Sequence, residues 1–447
     1  MAKALLTYFS PGRMLLFSIV CTIAFGTALL ALPQASIKPI SLIDLIFTAT
    51  SATCVTGLFT IPLEQFTVFG HSIILLLMQI GGIGIITMSL FFMSLFMDFG
   101  LSTQLMARHV LELESWKNIK KLLVFSISMT FAVELIGALC VMITIAPTVP
   151  FTSALFLSLF HSVSSFCNAG ISIFQHTPHA FYETNTSILL ITMTLMFIGG
   201  LGFITWHEIM RYLQTIKTTP RRRFSLHSKI ILYGTGFLFL FSAFLLYLLE
   251  RNNLFANMSG SQKVLHVLFH AVSFKGSGFL LSAPHTLRLA TLLLIMMISF
   301  IGSAPGSTGS GVKITTIAIF FATIRSVLLG RTAVEIRGRQ IALDQVIKSI
   351  AIIALSSCWI MFTCFCLSIT EPQWSFFDIL SETFAACTNL GISTGVSAHL
   401  SSIGKLFIIA SMLIGRIGAI GFILALRLKL THSNRTFSYP EERVMLG

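Results

Sequence analysis

Four glycines in this sequence are placed to do chemistry. Gly57, Gly170, Gly278 and Gly391 recur at intervals of 113, 108 and 113 residues, closing the stretches SLIDLIFTATSATCVTG, LFLSLFHSVSSFCNAG, VLHVLFHAVSFKGSG and SFFDILSETFAACTNLG. Glycine reaches φ > 0 without a Cβ penalty, so a loop ending on it can turn successive carbonyls to one side. A short helix stopping just before such a loop aims the negative end of its dipole at the same point. Four such ends meeting on one axis make a ring of carbonyl oxygens that can replace a cation's hydration shell. The residues expected to line it are Thr53, Cys54, Val55, Thr56 and Gly57; Cys167, Asn168, Ala169 and Gly170; Lys275, Gly276, Ser277 and Gly278; and Thr388, Asn389, Leu390 and Gly391. The chemistry is cation selection, with potassium the expected ion.

A second glycine motif follows each first one: QIGGIG at 79–84, FIGGLG at 197–202, FIGSAPGSTGSG at 300–311 and LIGRIGAIG at 413–421. Measured to its first glycine, the gap is 24, 29, 24 and 24 residues. Close helix packing accounts well for these, as small residues let backbones approach. It accounts poorly for the first set, because helices ending in TCVTG or CTNLG have no packing reason to stop inside a membrane.

These motifs need elements to hold them. The chain has 447 residues, 55% apolar and 10% charged, against about 25% charged in soluble domains. A water-soluble globule is excluded, and little length remains for a large catalytic domain. Apolar stretches long enough to cross a bilayer flank each first motif, near 13–32, 122–146, 230–249 and 346–369 before it and 71–97, 188–206, 287–324 and 403–426 after it. The expectation is an all-α membrane protein of four parallel M1–P–M2 repeats, with eight spanning helices and four re-entrant half-helices around one pseudo-four-fold pore. Its repeats cover 1–98, 99–210, 211–325 and 326–430, with a tail at 431–447. No A-x-A-like cleavage site precedes the end of the first stretch, which is expected to be retained.

Net charge is +13, but nucleic acid is not needed to explain it. Twenty-one of the 29 Lys and Arg fall in the termini and inter-repeat linkers, which places that side in the cytoplasm. Asp44, Glu64, Glu183, Glu250, Glu371, Asp378 and Glu382 gather at the other face, where they would attract cations. The eight cysteines show no C-x-x-C spacing and read as small apolar side chains. His161 and His270 occupy like places in two F-H-x-V-S stretches. No third ligand type accompanies them, so they read as hydrogen-bonding residues between helices, and no transition-metal site is expected.

The third repeat is different. Its second apolar stretch is 38 residues, ~57 Å if helical, and Ser303, Ala304, Pro305, Gly306, Ser307, Thr308, Gly309, Ser310 and Gly311 must break it. Gly306 and Gly311 have phosphate-loop spacing, but Val312–Lys313–Ile314 follows rather than G-K-[ST] and no strand precedes. Arg416 lies within the last apolar stretch, where an arginine is costly and functional by default. Its expected partners are carbonyls of the broken segment, or Glu134 in a structural ion pair.

TCVTGL at 53–58, FHSVSSFCNAGI at 160–171 and GSAPGSTGSGVKITT at 302–316, on four such repeats, resemble the Trk/Ktr/HKT superfamily of potassium transporters. The ending YPEERVMLG at 439–447 resembles its KtrB branch. The resemblance covers essentially the whole chain. It implies a homodimeric K⁺-conducting subunit in the plasma membrane, with both termini cytoplasmic. It further implies gating by a KtrA-type cytoplasmic ring of nucleotide-binding subunits, Na⁺ as a stimulator, and no covalent cofactor. Its four selectivity glycines fall on Gly57, Gly170, Gly278 and Gly391. A serine in the first loop marks sodium-selective plant relatives, and Gly57 argues against that here. In the family the broken segment obstructs the pore and a conserved arginine rests against it, which assigns residues 303–311, Lys313 and Arg416 to a gate. The third loop departs, with VSFKGSGF where the family shows VSARTAGF. The rival class is a secondary transporter of another small solute or of Na⁺ on the same scaffold. Such proteins usually show inverted repeats and midplane acids, whereas these repeats run parallel.

Overall fold

A computed structural model describes residues 11–83, 119–174, 185–215, 224–418 and 421. The ends of the apolar stretches at 71–97 and 403–426, Glu183, the Arg221, Arg222 and Arg223 triplet and the tail at 431–447 lie outside the described residues.

The described chain is helical. In order it runs α1 (Pro11–Leu30), α2 (Leu42–Cys54), α3 (Val68–Ile83), α4 (Ile119–Ile145), α5 (Phe151–Cys167), α6 (Thr186–Gly200), α7 (Phe203–Thr215), α8 (Leu226–Glu250), α9 (Gly260–Ser273), α10 (Leu289–Phe300), α11 (Ile314–Leu328), α12 (Leu343–Thr370), α13 (Phe376–Thr388), α14 (Val396–His399) and α15 (Ser402–Ile417). The strands among the described residues form a short hairpin, β1 (Glu335–Ile336) and β2 (Arg339–Gln340), between α11 and α12. Arg337 and Gly338 turn it with φ of 50° and 73°, the left-handed pair a two-residue hairpin requires.

Polar and apolar are distributed as lipid demands. Helices α4, α8 and α12 are long and apolar enough to cross a membrane alone, and expose residues such as Ile143, Phe237, Leu240 and Phe365. The short helices α2, α5, α9 and α13 sit inside and bury Ser, Thr and His among their apolar residues. Their starts are written in the sequence. Ser41 and Ser375 cap α2 and α13 by accepting the N–H of Asp44 and Asp378, and Ser259 with Gln262 forms a capping box on α9. Each such cap satisfies amides the helix itself cannot.

One expected straight span is absent. The stretch at 188–206 is broken between α6 and α7, whose axes meet at 99°. Gly202 is the hinge, at φ 82°, and the orphaned Phe203 N–H is taken by the carbonyl of Gly306 at 2.9 Å. The third repeat breaks where expected, between α10 and α11.

The acids expected to gather opposite the basic linkers also differ from expectation. Glu250, Glu371 and Glu382 are buried. Glu250 accepts from the Arg288 N–H and the Thr291 hydroxyl, Glu371 from the Ser401 N–H, and Glu382 from Ser393 and Ser397. They fasten loops. Cys21, Cys140 and Cys358 are exposed on their helices rather than buried, so for them the small apolar side chain lies outside the core.

Candidate functional site

The four short helices end at one place. At each of the four glycines φ is positive: 85° at Gly57, 67° at Gly170, 74° at Gly278 and 73° at Gly391. A Cβ added to Gly57 would strike the carbonyl oxygen of Ala169, and one on Gly170 that of Ser277. On Gly278 it would strike Leu390, and on Gly391 Thr56. Each glycine therefore lies against the carbonyl just before the next glycine in chain order, and the fourth returns to the first. The ring closes. Residues more than a hundred apart in sequence touch there through backbone alone, which leaves no space for any side chain.

Three quadrants share one construction. Val55, Asn168 and Asn389 follow the last helical residue with φ of 58°, 60° and 53°, so the chain reverses hand at once. Asparagine tolerates this conformation, but a β-branched valine is an outlier there. The loop amides bond back to the helix: Thr56 N–H to Ser51 O at 2.8 Å, Ala169 N–H to Ser164 O at 2.8 Å, and Leu390 N–H to Ala385 O at 2.9 Å. Ser51 also accepts the Gly57 N–H at 3.1 Å, and Ser164 bonds both ways with Ile171. Asn389 crosses between repeats, its Nδ2 donating to the Cys54 carbonyl at 2.8 Å. Thr53, Cys54, Cys167 and Thr388, expected in the loops, are instead the closing residues of the helices. The non-helical lining begins one or two residues later than the motif suggests, because a helix is held until the left-handed residue ends it.

The third quadrant is one residue shorter. Ser273 spans to Phe279 with a 2.6 Å hydrogen bond, where Ser164 spans to Ile171. Phe274 stays right-handed, so the turn through Gly276 and Ser277 replaces the left-handed residue. Lys275 turns away from the ring and donates to Thr235 on α8 at 2.8 Å. Gly276 keeps some room, as an added Cβ would meet no atom nearer than the Ser303 Oγ at 3.3 Å.

The second glycine motifs seat the helix ends. Added Cβ atoms on Gly81, Gly199 and Gly415 would strike the carbonyls of Thr53, Phe166 and Cys387, each four residues before a ring glycine. The third repeat again departs, since Gly302 faces Ser310 of its own broken segment.

The whole break between α10 and α11, 301–313, which includes that segment, packs against the end of the second quadrant's helix and is bonded throughout. Gly302 donates its N–H to Val312 O at 2.8 Å, Ala304 to Gly200 O at 3.3 Å and Thr308 to Gly199 O at 3.2 Å. The Ser307 hydroxyl folds back on Ala304 O at 2.6 Å. Thr308 Oγ1 donates to Phe166 O at 3.0 Å and accepts from Asn168 Nδ2 at 2.8 Å. Gly306 and Gly311 take φ of 66° and 80°, and Pro305 packs its carbonyl near Gly202. Ser303 and Ser310 are paired across the segment. Lys313 donates to Gly309 O at 2.7 Å. Arg416 then reaches over from α15: Nη1 donates to Thr308 O at 2.5 Å and to Ser310 Oγ at 3.1 Å, and Nη2 to the carbonyl of Gly81.

Arg416 takes the first of its two expected partners. Glu134 is occupied elsewhere, accepting from Gln79 at 2.8 Å and from the Cys167 thiol. His161 bonds Thr192 at 2.7 Å and His270 bonds the His266 carbonyl at 2.8 Å, both as links between or along helices. Among the described residues no cluster of three metal-ligating side chains occurs. The arrangement is therefore a neutral carbonyl ring with three cationic side chains, Arg416, Lys313 and Lys275, held around and below it.

The TrkH family, described as cation transport protein, matches residues 19–439. A Ktr system potassium uptake protein B from Bacillus subtilis is 34% identical over 452 residues, covering 98% of this chain and 97% of its own. A potassium/sodium uptake protein NtpJ from Enterococcus hirae is 31% identical over 456 residues, covering 100% and 99%. Among solved structures, the potassium transporter TrkH from Vibrio parahaemolyticus superposes with a TM-score of 0.71 at 19% identity, covering 93% of this chain and 85% of its own.

Proposed function

The chain belongs to the TrkH family of cation transport proteins, as a KtrB-type member, and from that premise we propose that it takes up K⁺ across the plasma membrane. In this reading four parallel M1–P–M2 repeats surround one pore. The ring at Gly57, Gly170, Gly278 and Gly391 is the selectivity filter, and its carbonyls offset the ion's dehydration. The membrane potential supplies the driving force, ~2.3 kcal/mol per charge per 100 mV.

One observation carries the reading: four loops distant in sequence close a ring through backbone contacts alone. Buried hydroxyls of Thr53 and Thr56 beside it have no protein hydrogen-bond partner. Such groups are costly unless water or an ion satisfies them.

The 303–311 segment with Lys313 and Arg416 is the gate. It closes the pore physically, and its cations oppose a K⁺ below the ring. A homodimer whose cytoplasmic linkers dock a nucleotide-binding ring, with Na⁺ as stimulator, completes the proposal. Flux of labelled K⁺, Na⁺ and small organic solutes into proteoliposomes tests it. K⁺ uptake exceeding the others about tenfold or more is expected; uptake of an organic solute in preference to K⁺ would overturn it.

A further inference from the structure

A cleft of about 250 Å³ opens between the last turns of α11 and the β1–β2 hairpin. Arg325, Arg331 and Arg337 line it, with Ser326, Leu329 and one carboxylate, Glu335. Glu335 pairs with Arg331 at 3.4 Å, which leaves the cleft a net excess of two positive charges.

The arginines are positioned by their surroundings. Arg337 sits at a left-handed turn residue, φ 50°, with its guanidinium 3.9 Å over the ring of Tyr233 on α8. Stacking on an aromatic face holds a guanidinium plane while its N–H donors stay available. The turn beneath Arg331 is tied down by the buried Ser326, whose hydroxyl donates to Ala333 O at 2.7 Å and whose carbonyl accepts the Arg331 N–H at 2.9 Å.

Leu329 lines the cleft and is exposed. Val327 and Leu328 in the last turn of α11, and Leu343 and Ile347 in the first turns of α12 after the hairpin, are exposed too, and for such side chains water is a poor neighbour and acyl chains a good one. Planar arginine donors fit phosphate oxygens two at a time, and any phosphate could use them. Exposed apolar side chains on the flanking turns favour a phosphate carried by a lipid.

We propose that this cleft binds the phosphate headgroup of an anionic phospholipid of the inner leaflet. The proposal rests on the reading above that the inter-repeat linkers face the cytoplasm. It assigns the cleft more than the general positive-inside role: specific retention of one lipid.

Native mass spectrometry of the full chain in detergent, with phosphatidylglycerol added, tests this. R325Q/R337Q is expected to lower lipid retention about tenfold or more, the order expected for two interfacial arginines. R211Q/K229Q removes the same charge from the same face outside the cleft, and is expected to leave retention within twofold. R325K/R337K, which keeps charge and loses the planar fork, should fall between them. Equal loss in both glutamine pairs would overturn the proposal in favour of diffuse attraction. Displacement of the lipid by inorganic phosphate at equal concentration would overturn the lipid as source. K⁺ flux of the same preparations is a separate readout, so a failure of the transport reading is visible while lipid retention is still measured.

Discussion

The first, second and fourth quadrants of the ring and the third solve one problem in two ways. Where Val55, Asn168 and Asn389 reverse the chain's hand in one residue, the third loop is a residue shorter and swings a lysine out to Thr235. Directly below, three of the second motifs seat a glycine against a helix end, while the third faces its own broken segment. Both asymmetries fall in one repeat. The upper layer nevertheless closes with four like contacts, so symmetry is kept where an ion would be selected and given up below. A four-fold ring can bind a cation evenly, but a single obstruction needs a single origin.

The largest effect expected is on the symmetric layer. Gly57→Ser puts a side chain where φ is 85° and the Ala169 carbonyl already sits, so either the loop or its neighbour must rotate. The K⁺-to-Na⁺ flux ratio should fall about tenfold or more, a shift of one carbonyl's worth of ~1.4 kcal/mol, with protein yield changed less. A ratio equal to wild type would count against the ring as filter.

Next comes the asymmetric layer. Deleting 303–311 should raise K⁺ flux per purified molecule, and Arg416→Ala should do so more weakly, removing the clasp while leaving the obstruction. Charge-assisted hydrogen bonds are worth ~1.5–3 kcal/mol each, so losing those to Thr308 and Ser310 shifts a closed-to-open balance about tenfold or more. If both variants lose folded protein and gain no flux, the segment is a structural plug.

How much of this is visible in the sequence divides along the same line. Glycine spacing identifies the ring, and a proline among glycines identifies the broken segment, because both are local backbone requirements. The partners are not local. Nothing in FIGGLG announces a 99° turn, since its glycines serve packing equally well, and the turn exists because Gly306, a hundred residues on, takes the freed Phe203 amide. Glu250, Glu371 and Glu382 mislead for a similar reason. An acid in or just after an apolar helix reads as a surface charge, and only the folded chain shows Arg288, Ser401 or Ser397 arriving to bury it. The Asn389-to-Cys54 bond joins repeats one and four and had no signal beyond the asparagine itself.

A smaller effect belongs to the contact between α2 and α15. Lys405 donates to Asp44 at 2.6 Å, with both side chains about 15% exposed. Burial alone would raise the Asp44 pKa, but hydrogen bonds from Lys405 and Ser41 outweigh it and hold the carboxyl below its ordinary value. The stabilisation is present above the unfolded-state pKa near 3.9 and is lost as pH falls through the lower folded value. Thermal midpoint should therefore be level between about pH 5 and 7 and decline below about pH 4. Asp44→Asn should start lower by a few degrees and lose part of that acid dependence. An Asn variant with the wild-type acid profile would remove Asp44 from the account.

The smallest effect sharpens the comparison most, because it lies two residues from a position where the same change should be severe. Gly276 has no positive φ, and an added Cβ meets only the Ser303 hydroxyl at 3.3 Å, an atom that a rotation about χ1 carries away. Gly278 has φ 74° and faces the Leu390 carbonyl with no room. Gly276→Ala should leave the flux ratio within about twofold and hold or slightly raise the thermal midpoint, since alanine removes unfolded-chain freedom worth ~0.4–1 kcal/mol. Gly278→Ala should abolish selectivity or folding. Ser303 is also the first residue of the broken segment, so Gly276→Ala presses gently from the ring onto the gate. A rise in flux without a change in ion ratio would show the two layers touching through that hydroxyl, whereas a change in ratio would mean that the third loop depends on glycine at 276 as well as at 278.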